Sequence, residues 1–191
     1  TWGRERVVRD NTLLIAEMTG AEWRIHRKDY LYGDDGEVAK TLVKSMWLDG
    51  EFSNDYGRKA VKELFDGAVM DFPKSPQLMK RLLDIAAGPE SIILDFFAGS
   101  SSMAHAVMLA NAEDNGQRHF IMVQLDEPTD PKSTAAKAGY SSIAELSRER
   151  IRRAGTSVVE EAGLTGPGLE TGFRSLKIDS TNLTDVLRTP D

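Results

Sequence analysis

The sequence has no cysteine, no long hydrophobic run and no excess of positive charge. Without cysteine the chain has no disulfides, thiolate zinc sites or cysteine nucleophiles. A membrane-spanning helix needs roughly 18 apolar residues in a row, and no segment provides them. The first residues show no signal-peptide pattern. We therefore expect a cytoplasmic protein with no membrane contact.

The charge balance is acidic, with 24 Lys and Arg against 30 Asp and Glu. Nucleic-acid-binding domains usually carry a basic face. This chain has only two local basic clusters, one over residues 24–28 and one over residues 148–153. Acidic residues interrupt or flank both clusters, a pattern typical of a solvated surface. Charge alone therefore identifies no partner.

What is present is the composition of a folded protein, with 40% hydrophobic and 28% charged residues in 191 positions. That length is enough for one to one and a half domains with an ordinary core. The three histidines, His26, His105 and His119, are scattered without the spacing of a metal site. We assign no metal.

Two apolar runs with a helical segment between them predict a βαβ unit. Residues 92–97 form a short apolar run with β-branched side chains, which is typical of a strand buried on both faces of a parallel sheet, and residues 119–125 predict a second apolar strand. Residues 103–111 between them favour a helix. The fold class that this predicts is α/β.

Local signals predict three further helices. One is capped by Asn54 or Asp55, one begins at Ser75-Pro76 and ends before Gly88, and one begins at Ser142 and stops at Gly155. The arginines at positions 148–153 are placed on the outer face of the last helix. Residues 173–178 predict a strand, and residues 1–50 read as irregular.

The segment Asp95-Phe96-Phe97-Ala98-Gly99-Ser100 follows the first predicted strand and precedes the helix. Ligands of α/β sheets lie at this carboxyl edge, where small residues let the backbone approach and helix N–H groups point outward. Gln124, Asp126 and Glu127 end the next strand, where a side chain could face a ribose. Neither Gly-x-Gly-x-x-Gly nor a Gly-Lys-Ser/Thr loop is present. From the residues alone, a nucleoside cofactor and a packed turn without ligand both remain open.

Several segments together resemble the β-class amino-methyltransferases of DNA, and more narrowly the modification subunits of type III restriction-modification systems. They are Phe72-Pro73-Lys74-Ser75-Pro76, residues 93–100, Ala104-His105-Ala106-Val107, residues 118–124, residues 143–153 and residues 172–179. The resemblance runs from about Trp47 to about Asn182. Its first two motifs are fairly specific.

The resemblance implies a three-layer α/β/α Rossmann-like fold, incomplete here, that uses S-adenosylmethionine to methylate N6 of adenine in DNA. Residues 51–191 would be the cofactor-binding part, and residues 1–50 a remnant of the DNA-recognition region. The cofactor-binding residues that it implies are Phe72, Pro73, Lys74, Ser75, Asp95, Phe97, Ala98, Gly99, Ser100, Gln124 and Glu127. Gln124 and Glu127 compete for the ribose, and we favour Glu127 because a carboxylate is the stronger acceptor. Phe96 is assigned to the core.

Two departures from the family pattern bear on function. Ser101 stands where many members have a second glycine, and the Asp-Pro-Pro-Tyr motif is absent because the chain has no Pro-Pro pair. That motif holds the flipped adenine in the family. We therefore expect the C-terminal part of a larger subunit, inactive alone, and nominate no catalytic residue.

The partners that the resemblance implies are DNA and the restriction subunit. A parallel sheet without its other half would expose an apolar edge, which predicts a homodimer or further packing. The alternative is a non-catalytic module for DNA binding or subunit interaction on the same scaffold, favoured by Ser101 and Gln124.

Overall fold

A computed structural model describes residues 2–32, 36 and 42–178, which fall into two units, Thr1–Ser45 and Met46–Asp191. Residues 179–182, the end of the family resemblance, lie outside the described part. Within the described ranges, no helix combines the length and apolarity needed to cross a bilayer.

The first unit contains a β-hairpin that the sequence did not predict. Helix α1 (Arg4–Arg9) precedes β1 (Leu14–Thr19) and β2 (Glu22–Arg27), which pair antiparallel. A two-residue turn joins the strands, and Gly20 in it has a φ of 66°, a value that favours glycine. The prediction of irregular structure is wrong because nearly every hairpin residue is exposed, so no buried face imposes an apolar alternation.

The second unit begins with two helices. Helix α2 (Asn54–Phe65) is capped by Ser53, whose Oγ accepts the Tyr56 N–H, so the predicted cap at Asn54 or Asp55 is late by one or two residues. Helix α3 (Pro76–Ala86) begins as predicted, because the Ser75 Oγ accepts the N–H groups of Gln77 and Leu78. Both helices start at a serine, which satisfies backbone donors left free at a helix N-terminus.

The predicted βαβ unit is present and confirms the α/β class. Strands β3 (Ile92–Asp95) and β4 (His119–Met122) pair parallel, with helix α4 (Ser102–Asp114) between them. Each strand is shorter than predicted. The chain turns at Phe96, although the Val123 N–H still donates to the Asp95 carbonyl at 2.8 Å.

The two faces of this sheet differ in what covers them. Ile93 and Phe120 pack against the buried residues of α3 and α4. On the opposite side, Ile92, Leu94 and Ile121 are 68%, 53% and 52% exposed. The prediction that β3 is buried on both faces is therefore wrong, because the helices of the described second unit pack on one face only. We call these the covered face and the bare face.

The core of the second unit lies on the covered side, in three clusters around α4 and the last long helix, α6 (Ile143–Glu161). One joins α4 and α6 through Ala104, Met108, Ile151, Ala154 and Val158. The second lies between α2 and α6, beside the short helix α5 (Thr134–Lys137). The third joins α3 and α4. Helix α4 is thus buried on most of its surface, which suits its many alanines.

Helix α6 starts as predicted and continues further than predicted. The Ser142 Oγ accepts the Glu145 N–H, and the Glu145 carboxylate accepts the Ser141 N–H. Gly155 does not stop the helix but lies inside it, where an added Cβ would come 3.0 Å from the Thr171 side chain. The glycine is needed there for close approach, since a contact of that length forces the neighbour to move.

Residues 173–178 form no strand, contrary to the prediction. Phe173 lies under the Arg152 guanidinium at 5.7 Å from the ring centre, which holds the start of the segment on α6. Leu176 and Ile178 are exposed, so no part of the chain that the structure describes covers the apolar side of the segment.

Candidate functional site

Most of the predicted cofactor residues lie in two loops. We call residues 72–75 the proline loop and residues 96–102 the serine loop. The proline loop leads into α3, and the serine loop connects β3 to α4. The remaining predicted residues follow β4.

The proline loop is fixed by buried backbone contacts. The Ser75 side chain is buried, and its Oγ donates to the Glu51 carbonyl at 2.5 Å while capping α3. Gly57 of α2 lies directly against the loop, because a Cβ added there would be 2.3 Å from the Pro73 carbonyl oxygen. Pro73 is buried and Lys74 is exposed. The loop therefore has a defined path and presents Lys74 outward.

The serine loop makes two left-handed turns before α4. Gly99 has a φ of 54° and Ser101 a φ of 59°. The Asp95 carboxylate accepts the Phe97 N–H at 3.1 Å, and the Gly99 N–H donates to the Gln124 Oε1 at 2.8 Å. Only the Phe97 carbonyl comes within 4 Å of a Cβ added at Gly99, so the space in front of this residue is open.

The backbone conformation of Ser101 is one that favours glycine, the residue that the resemblance implies at this position. A left-handed backbone costs a non-glycine residue roughly 1–2 kcal/mol. The Ser101 side chain is fully buried, and its hydroxyl shares a hydrogen bond with the Ser147 hydroxyl of α6. That bond offsets part of the cost.

Arg150 of α6 holds the serine loop through hydrogen bonds to two of its serines. Its Nη1 donates to the Ser100 Oγ and the Ser102 Oγ, each at 2.7 Å. The side chain is 1% exposed, and burial lowers the pKa of the guanidinium to about 10. Its Nε and Nη2 have no hydrogen-bond partner among the described residues. The prediction that the arginines of α6 all face outward is wrong for this one.

The two loops meet at Ser102. Its Oγ donates to the Lys74 carbonyl at 2.9 Å and accepts from Arg150. The bond to Lys74 joins residues 72–75 to the serine loop, residues 96–102, which begins 21 positions further along the chain.

The aromatic side chains exposed on these loops include Phe72 at 75% and Phe97 at 88%. Exposed aromatics beside an open glycine and the N-terminus of a long helix suit a ligand with a flat ring and polar groups. Phe96 is also exposed, so its assignment to the core is wrong. Ala98, two positions further along the loop, is buried.

The predicted residues after β4 have different surroundings. The Gln124 side chain is engaged by the Gly99 N–H, as described above. Asp126 accepts from the Ser142 Oγ at 2.9 Å, which ties it to α6. Glu127 is exposed. Its carboxylate is therefore the more available of the two predicted ribose ligands.

His105 lies buried on α4 near Arg150. Burial and the charge of Arg150 lower its pKa to about 3, so the imidazole is neutral at physiological pH. Its Nδ1 has no hydrogen-bond partner among the described residues. Among the residues that the structure describes, no three His, Asp or Glu side chains lie close enough together to hold a metal ion.

Sequence reasoning missed Ser147 and Arg150. A signal for both was available, because they lie on the same helical stripe as Leu146, Ile151 and Ala154, all of which are buried. An arginine on a buried stripe is rare unless it is paired. The position of Arg150 along the helix, rather than its residue type, predicts that its side chain is buried.

Known proteins with similar sequences were found by comparison. A family model described as DNA methylase, N6_N4_Mtase, matches residues 13–130. The Mod subunit of the type III restriction-modification enzyme StyLTI of Salmonella typhimurium is 44% identical over 120 residues, covering 63% of this chain and 18% of that protein. The EcoP15I Mod subunit of Escherichia coli is 38% identical over 135 residues, covering 70% and 19%.

A further relative is the type II methyltransferase M.KpnI of Klebsiella pneumoniae, 27% identical over 150 residues, covering 78% of this chain and 34% of that enzyme. The matched regions thus span only about a fifth of the two Mod subunits and a third of M.KpnI.

Proposed function

The chain belongs to the DNA methylase family, and from that premise we propose that it forms the S-adenosylmethionine-binding part of an adenine-specific DNA methyltransferase. The observation that carries the proposal is the junction at Ser102, which holds the proline loop and the serine loop side by side at the N-terminus of α4. Both loops carry the motifs through which the sequence resembles this class.

The predicted residues suit the parts of this cofactor. Phe72, Pro73, Lys74 and Ser75 would line its methionine end. The space in front of Gly99 is open, so a ligand could approach the backbone closely there. Asp95, Phe97, Ala98 and Ser100 would form the wall around it. Glu127 would accept from the ribose hydroxyls, while Gln124 holds Gly99 in place.

When bound, S-adenosylmethionine supplies a methyl group already activated on a sulfonium. The protein then contributes chiefly by positioning, which can account for about 7–11 kcal/mol of a barrier. The residues around the two loops accordingly bind and orient, and none is assigned as a general acid or base. The target adenine must leave the duplex and be held by other groups. Because this chain contains no Pro-Pro pair, we propose that it does not methylate DNA alone.

For the complete protein we propose methylation of adenine N6 in DNA within a type III restriction-modification system, with DNA and a restriction subunit as partners. The similarity to two proteins named as Mod subunits of such enzymes supports this. We keep residues 1–50 as the remnant of a DNA-recognition region and residues 51–191 as the cofactor part.

We also propose that the complete fold is a three-layer Rossmann-like sandwich. Parallel sheets are usually covered on both faces, and Ile92, Leu94 and Ile121 supply an apolar surface for a second helical layer. A homodimer formed through the bare face is the competing arrangement.

Calorimetric titration of S-adenosylmethionine into the chain tests the cofactor proposal. We expect saturable binding that Asp95→Ala and Glu127→Ala each weaken by about tenfold or more, since a hydrogen bond to a charged group contributes about 1.5–3 kcal/mol. Glu63→Ala, an exposed carboxylate of α2 with a surface ion pair to Lys59, is the matched control and should bind as the parent chain does. Absence of binding at millimolar cofactor would favour the non-catalytic module.

A further inference from the structure

We propose that Arg150 is a positioning residue of the cofactor site, which holds the Ser102 junction so that the proline loop and the serine loop keep their relative placement. This inference rests on the proposed function of the two loops. It concerns a residue of α6 that lies outside both loops and is too deeply buried to touch a ligand.

The hydrogen-bond directions at the junction support this role. A guanidinium only donates, so the Ser100 and Ser102 oxygens act as acceptors toward Arg150. Each serine must then give its own hydrogen elsewhere. Ser102 gives it to the Lys74 carbonyl, which is the bond that joins the loops. Arg150 thereby sets the direction in which Ser102 donates.

Ser147 reinforces the same attachment. It lies one helical turn before Arg150 on α6, and its hydroxyl bonds the Ser101 hydroxyl. The three consecutive serines of the loop, Ser100, Ser101 and Ser102, are therefore all held by one helix. With two residues, α6 fixes the loop segment from which α4 begins.

The energetics argue against a purely stabilising role for Arg150. Burying a charge without an opposite partner costs several kcal/mol, and apolar residues of similar volume often give equal or greater stability. Arg150 has no ion-pair partner in the described part of the chain, and two of its three nitrogens lack hydrogen bonds. A cost of this kind is typical of sites where geometry matters more than stability.

Arg150→Met tests the proposal, with Arg152→Met as the matched control. Arg152 lies on the same helix and is exposed. Three quantities would be measured on the full chain: the melting temperature, the affinity for S-adenosylmethionine, and amide hydrogen exchange in residues 72–75 and 98–104. For Arg150→Met we expect an unchanged or higher melting temperature, about tenfold weaker cofactor binding and faster exchange in both loops. Arg150→Lys, which keeps a donor, should restore part of the affinity.

Ser102→Ala removes the hydroxyl that bonds both Arg150 and the Lys74 carbonyl, so it breaks the same junction. It should weaken binding and speed exchange in the proline loop even if Arg150→Met fails to fold. The proposal is overturned if Arg150→Met or Ser102→Ala binds the cofactor normally with unchanged exchange. It is also overturned if affinity falls only in step with a collapse of the melting temperature, because the role would then be structural.

Failure of the proposed function gives a different result. If the parent chain does not bind S-adenosylmethionine, the cofactor proposal fails for this chain. Amide exchange still decides the role of Arg150, since unchanged exchange in both loops of Arg150→Met contradicts it and faster exchange supports it.

Discussion

The covered and bare faces of the β3–β4 sheet are built from similar residues in opposite surroundings. Ile93 and Phe120 lie against α3 and α4, whereas Ile92, Leu94 and Ile121 face outward and are more than half exposed. The apolar sequence of a strand therefore shows that both of its faces could be buried. It does not show whether other parts of the chain cover both faces or only one. The difference between the faces can be measured directly.

The largest expected effect is the contrast between Phe120→Ala and Ile121→Ala, two neighbours on opposite faces. Phe120 packs against two core clusters. Its truncation should lower the free energy of unfolding by about 3 kcal/mol, the lower end for a buried phenylalanine because Phe120 is only partly buried. Ile121→Ala should cost no more than about 0.5 kcal/mol. Urea denaturation followed by circular dichroism measures both, and a similar loss for Ile121→Ala would mean that the bare face is covered in solution.

A second contrast is in pH dependence, because the covered side holds a buried histidine. The pKa of His105 falls from its usual 6.5 to about 3 in the folded chain. Between these values the unfolded chain binds the extra proton, so stability decreases as the pH falls below 6.5. From pH 7 to pH 5 this amounts to about 2 kcal/mol.

His105→Gln should remove most of that dependence. Denaturation at pH 7 and pH 5 measures it, and the window stays above the range in which carboxylates such as Asp114, whose pKa is lowered by Arg118, begin to contribute. An equal pH dependence in His105→Gln would show that this imidazole is not the group responsible. His119→Gln, on the bare face, is the matched control for the substitution.

A smaller effect is expected where the covered side meets the serine loop, at Ser101. In a Ser147→Ala background, which removes the hydroxyl partner, Ser101→Gly should be more stable than Ser101→Ala by about 1 kcal/mol, because glycine adopts a positive φ without strain. Thermal denaturation of the two double variants measures this. Equal stabilities would contradict the left-handed conformation of Ser101.

The smallest effect on stability is expected on the bare face itself. Leu94→Lys combined with Ile121→Glu, which places opposite charges at paired positions of the two strands, should change the free energy of unfolding by less than about 0.5 kcal/mol. The same change should abolish any self-association through this surface, since it places charge in an apolar patch. Sedimentation velocity measures the effect, and an oligomer that persists in the double variant would exclude the bare face as its interface.

The parts of the fold that the sequence predicts are those with local causes. Helix α3 is specified by Ser75 and Pro76 at its start, and the βαβ unit by two apolar runs around a small-residue loop. The hairpin of the first unit was missed because its described residues are nearly all exposed, so neither face shows an apolar alternation. Gly155 was misread because its reason, Thr171, lies 16 positions further along the chain.

The same distinction holds for the site. The loop residues are predicted from their motif, and the structure joins the two loops at Ser102. The residues that hold the serine loop, Ser147 and Arg150, are 46 and 50 positions away from two of the serines that they bond, Ser101 and Ser100. Contacts of that separation have no signature in a window of sequence. The buried stripe of α6 would have predicted only that position 150 is internal.

Gly57 has a consequence for protein engineering. Replacing a helical glycine by alanine is a standard route to a more stable protein, with a gain of about 1 kcal/mol in an exposed helix. At Gly57 the new methyl group would lie 2.3 Å from the Pro73 carbonyl oxygen. Alanine, which helix propensity alone would favour at position 57, would therefore displace the loop that carries Lys74. The position is closed to improvement for a reason that only the three-dimensional arrangement reveals.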